Sequence, residues 1–95
     1  MPKAQKSHAV VHDVIRLLRE ERERRGLSKY VVAARSGLSQ QTIGYVEREL
    51  TNPSLETIVR IADGIGIDLV GLIMQACKSA AAAKSAAIAV RSGKG

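Results

Sequence analysis

Gln40, Gln41, Gly44, Tyr45 and Arg48 share one side of any helix built on this stretch of sequence. The chemistry available there is recognition. A glutamine amide carries a donor and an acceptor in one plane, and that pair matches the N6 and N7 edge of adenine in a DNA major groove. Two amides alone read first as a solvated face. The opposite side of the same stretch changes that reading: Ile43, Val46 and Leu50 form an apolar stripe expected to be buried, which turns the amide side outward. Nor is the outward side a run of Lys and Glu, as an ordinary solvated helix would carry.

The other chemistry-bearing residues do not assemble a reaction centre. His8 and His12 have the i,i+4 spacing that lets two imidazoles share a metal on a helix face, but no third ligand stands near them in sequence, so a solvated pair is expected. The chain has no nucleophile beside a base, no glycine-rich phosphate loop and no paired cysteines, and it is expected to be no enzyme and to need neither metal nor cofactor. Cys77 is the sole cysteine, which forbids an intramolecular disulfide and fits a reducing, cytoplasmic setting. No apolar run reaches the length of a membrane span, and Met-Pro-Lys-Ala-Gln-Lys lacks the apolar core of a signal peptide, so a soluble protein with no membrane partner is expected.

Positioning the amide face falls to the corner Ser36-Gly37-Leu38. Glycine enters the left-handed backbone region without a Cβ penalty, so Gly37 can end one helix and turn the chain sharply. Ser39 follows as an N-cap for the next helix. Ala33, four residues before Gly37, is small enough for the two helices to pack closely. Small residue, glycine corner, then apolar Leu38, Ile43 and Val46: this is the pattern of a helix-turn-helix.

The chain of 95 residues is one small domain, and with no Phe or Trp and two Tyr its core must come from Val, Ile, Leu and Ala, which suits packed helices. Fifteen Lys and Arg against nine Asp and Glu leave a net charge of +6, which favours an anionic partner. The excess sits at the two ends. Residues 78–95 carry four basic side chains and no acid, whereas the amide-bearing helix contributes little.

In order, residues 1–6 read as a flexible basic arm, and 7–77 as the folded domain. Ser7 caps a first helix with Val11, Val14, Ile15 and Leu18 inward, followed by the charged rod Arg19 to Arg25 and Gly26 as its end. Ser28 caps the second helix, with Val32 and Ala33 inward. Ser54 caps a fourth helix whose apolar face is Leu55, Ile58, Val59, Ile61, Ala62 and Ile65, closed by Gly64-Ile65-Gly66. Asp68 caps a fifth with Leu69, Val70, Leu72, Ile73 and Met74, of which about half fit one core. Residues 78–95 form an alanine-rich basic tail, helical over 80–90 and frayed at 92–95.

Arg22, Gly26-Leu27-Ser28, Ala33, Gly37-Leu38-Ser39-Gln40-Gln41-Thr42-Ile43, Glu47 and Asn52-Pro53-Ser54-Leu55-Glu56-Thr57 together resemble the Cro and phage-repressor type of helix-turn-helix, the XRE-like family, over about residues 11–74. That resemblance implies an all-α, five-helix repressor-like bundle, here with an alanine-rich, helical C-terminal extension. It implies base reading by Gln40, Gln41, Gly44 and Tyr45, the tyrosine ring on a thymine methyl or its hydroxyl on a phosphate. Phosphate contacts fall to Ser28, Lys29, Ser39, Thr42 and Arg48. Arg22 and Glu47 align with a structural ion pair between the first helix and the end of the third; Ala33, Gly37, Leu38, Ile43 and Val46 with turn and packing positions.

Five positions depart from the family pattern. Lys29 stands where glutamine is common, Gly44 lies inside a helix at a cost of roughly 1 kcal/mol, Glu49 stands where a glycine usually ends the helix, and Val70-Gly71 replace polar residues. The function implied is a sequence-specific DNA-binding regulator, a dimeric repressor reading an inverted repeat in double-stranded DNA, with the homodimer interface on Leu69, Val70, Ile73 and Met74. The alternative is an antitoxin-type or other interaction module whose residues 78–95 bind a small protein partner. A third reading makes that tail a nonspecific basic extension.

Overall fold

The computed structural model describes residues 3–79, which form five helices and, among the described residues, no strand. The helices are α1 (Lys3–Arg24), α2 (Lys29–Ser36), α3 (Gln40–Glu47), α4 (Leu55–Ile65) and α5 (69–79). The sixth helix expected over 80–90 and the frayed end at 92–95 lie outside the described residues.

Local chemistry places most of the boundaries. The Ser28, Ser39 and Ser54 hydroxyls accept from the backbone N–H groups of Val31, Thr42 and Thr57, at 3.1, 3.0 and 3.1 Å. Asp68 plays the same part for α5, its carboxylate 3.3 Å from the Gly71 N–H. At the corner, Gly37 has φ +76°, and the N–H groups of Gly37 and Leu38 both reach the Ala33 carbonyl, at 3.0 and 3.2 Å.

The buried set is Val14, Ile15, Leu17 and Leu18 from α1, Val32 and Ala33 from α2, Ile43 and Val46 from α3, Ile58, Ile61, Ala62 and Ile65 from α4, and Leu72 and Ala76 from α5. Several expectations need correction. Helix α1 begins at Lys3, so the segment read as an arm continues the helix and Ser7 is not its cap; Lys, Ala and Gln are all good helix formers. Val11 is exposed, and Leu17 takes a place in the core instead. Leu50 is 62% exposed, because α3 stops at Glu47 and Glu49 adopts φ +57°, which breaks the helical spacing that would have kept Leu50 on the buried stripe. Leu55 and Val59 are likewise exposed on α4, which buries a narrower face than its composition allows.

The segment Gly64-Ile65-Gly66 does close α4, with Gly66 as the left-handed cap at φ +89°, but Gly64 itself lies within the helix and is buried. A Cβ on Gly64 would stand 2.9 Å from the Val32 carbonyl oxygen and 3.3 Å from Ser36 Cβ, so its missing side chain lets α4 approach the backbone of α2. Gly64→Ala is therefore expected to destabilise the fold by about 1–2 kcal/mol, overpacking outweighing the gain in helix propensity. Gly44→Ala is the control. Its added Cβ would meet the flexible Arg48 side chain at 3.7 Å, so it should stabilise by up to about 1 kcal/mol. Thermal melting of the two variants checks the pair, and equal shifts of one sign would refute the close approach.

Candidate nucleic-acid interface

Helix α3 has eight residues, and its two sides differ as sharply as its sequence does. Ile43 and Val46 are buried at 0% and 2% exposure, while Gln40 and Gln41 are exposed at its first turn. Ser39 fixes that turn twice, accepting from the Thr42 N–H and sharing a 2.8 Å hydrogen bond with the Thr42 hydroxyl.

Along the outward side the residues are linked. The Gln41 amide nitrogen donates to the Tyr45 hydroxyl. The Arg48 guanidinium lies over the Tyr45 ring, 5.6 Å from its centroid, and its Nε donates to the Gly44 carbonyl at 3.2 Å. Gly44 is consequently buried, covered by the Arg48 side chain. Tyr45 is half-buried, with its hydroxyl at the exposed edge beside Gln41.

Two anchors hold this face. The first is the corner, where Ala33 and Ser36 are buried and Leu38 packs against the core. The second is an ion pair at the far end of α3. Arg22 Nε and Nη2 donate to the two Glu47 carboxylate oxygens at 2.6 and 2.9 Å, and Nη1 donates to the Leu27 carbonyl at 2.9 Å. Both side chains are buried, at 8% and 9% residue exposure, and both Glu47 carboxylate oxygens have a partner. The hydrogen bonds to Glu47 raise the Arg22 pKa above its ordinary value, against the opposing effect of burial.

Ser28 and Lys29 lie at the amino end of α2, Lys29 half-buried. Leu69, Val70, Ile73 and Met74 lie apart from the α3 face, on α5: Leu69 and Ile73 pack partly on the core, and Val70 and Met74 are 66% and 54% exposed. One link is not legible in the sequence. His12 does not pair with His8; its Nδ1 lies 2.7 Å from a carboxylate oxygen of Glu49, the residue with φ +57°. A glutamate at a position that favours glycine was the available signal, although its partner 37 residues away was not readable. Among the described residues no group of three or more His, Cys, Asp or Glu side chains could hold a metal, and no helix is long and apolar enough to cross a membrane.

Corner, caps, buried ion pair and outward amide helix agree with a direct comparison. The helix-turn-helix family model matches residues 18–72, more than half of the chain. The chain belongs to the XRE-like helix-turn-helix family. It is also similar to the uncharacterized HTH-type transcriptional regulator y4dJ of Sinorhizobium fredii (strain NBRC 101917 / NGR234), with 38% identity over 52 residues, 55% of this chain and 68% of that protein. No solved structure matches the chain. As a member of this family the chain is a DNA-binding regulator with an all-α fold.

Proposed function

We propose that this XRE-like regulator is a dimeric repressor that reads an inverted-repeat operator by placing α3 in the major groove. The observation that carries the reading is the outward set of Gln40 and Gln41 on a helix whose other side is fully buried. Those amides read base edges, and Tyr45 stands beside them. Ser28, Lys29, Ser39, Thr42 and Arg48 grip phosphates on either side, which fixes register without carrying sequence. Two copies related by a twofold axis would set their reading helices about 34 Å apart, one turn of duplex. Self-association through the exposed part of α5 supplies that second copy.

Selection from duplex DNA with a randomised core gives the operator and the test. Gln41→Ala is expected to relax discrimination at one base pair per half-site by about 1–3 kcal/mol. Lys29→Ala should weaken all duplexes alike and reduce the salt slope by about 1. Equal effects of the two substitutions on all sequences would remove base reading from α3.

A further inference from the structure

We propose that Tyr45 is a positioning residue for Gln41: by accepting one amide N–H, its hydroxyl holds the amide in the orientation found here, which leaves facing outward the donor and acceptor that adenine needs. The proposal rests on base reading by α3 and adds to it which residue sets the choice of base.

The stoichiometry of the amide carries the argument. Gln41 Nε2 bears two hydrogens, and one is donated to Tyr45 Oη. What remains is one N–H and the carbonyl oxygen Oε1, a single donor and a single acceptor in one plane. That pair complements adenine, which offers N7 as acceptor and N6–H as donor. Guanine offers two acceptors, N7 and O6, and would need the amide turned over, with Oε1 accepting from the tyrosine and both N–H groups facing out.

Tyr45 is equipped to hold this orientation. Its ring is half-buried and carries the Arg48 guanidinium 5.6 Å from its centroid, and Arg48 is itself tied to the Gly44 carbonyl at 3.2 Å. The hydroxyl is thereby held from behind before DNA arrives, so part of the rotamer entropy that Gln41 would lose on binding is already lost in the free protein. Gln40, one residue earlier and also exposed, has no side-chain hydrogen bond among the described residues. The two glutamines should therefore differ, Gln41 strict and Gln40 tolerant.

The test uses the full chain and the best duplex selected from a randomised pool, together with its three single-base variants at the pair that Gln41→Ala relaxes. Wild type is expected to prefer adenine there by roughly tenfold. Tyr45→Phe keeps the ring under Arg48, so melting should be unchanged, yet the preference should fall roughly three- to tenfold with affinity elsewhere in the site intact. In the Gln41→Ala background, Tyr45→Phe should change nothing further. Guanine at that pair overturns the proposal, as does a Tyr45→Phe loss that is equal for all four duplexes or that persists without Gln41. A pool from which wild type enriches no sequence has a different meaning, because base reading by α3 then falls and the positioning role falls with it.

Discussion

Glu47→Ala is expected to cost about 3–5 kcal/mol of folding stability, because it strands the Arg22 guanidinium in the interior. Nη1 would keep the Leu27 carbonyl, but Nε and Nη2 would lose both acceptors in a place only 8% exposed. Small domains are stable by roughly 5–15 kcal/mol in all, so this is a large share, and Tm should drop by roughly 15 °C or more. Arg22→Met should cost a comparable amount by leaving the carboxylate unpaired. The double substitution Arg22→Met with Glu47→Leu is expected to recover most of the loss, since a buried ion pair and a well-packed apolar pair of similar volume are close in free energy. Urea denaturation of the two single variants and the double variant checks this. A Glu47→Ala cost below about 1 kcal/mol, as for a surface pair, would contradict the burial. The pair also anchors the end of α3 to α1, so DNA binding by the restored double variant tells whether this geometry serves recognition as well as stability.

The sequence revealed most where structure is decided locally. Ser28, Ser39, Ser54 and Asp68 cap their helices within three residues of themselves, and the Gly37 corner depends on one missing side chain, so neither needs the rest of the chain to be legible. The errors come where distant contacts decide. Helical spacing extended past Glu47 would bury Leu50, but the left-handed turn at Glu49 redirects the chain; Glu49 is bonded to His12, on another helix. Gly64 resembles a helix end in sequence, and only the backbone of α2 beside it explains why it lies inside α4. Spacing alone places Gln41 and Tyr45 on one face. That they bond to each other, and that Arg48 covers Gly44, follows from rotamers that spacing does not specify.

Val70→Glu is expected to convert a dimer into a monomer with its fold intact. Helix α5 buries Leu72 and Ala76, packs Leu69 and Ile73 partly against the core, and leaves Val70 and Met74 one helical turn apart on its outer side at 66% and 54% exposure. These two side chains are not needed by the core, so a charge on either should change folding stability by no more than about 0.5 kcal/mol. Placed in an interface, the same carboxylate would be desolvated without a partner and would oppose its own symmetry mate, since each copy contributes the same surface. Sedimentation should therefore show half the wild-type mass. On a duplex carrying both half-sites, the linked second binding event would vanish and affinity should fall by roughly 10²–10⁴, while affinity for an isolated half-site stays that of one protomer. Met74→Glu should behave alike, being on the same stripe. If both variants keep the wild-type mass, α5 is not where two copies meet.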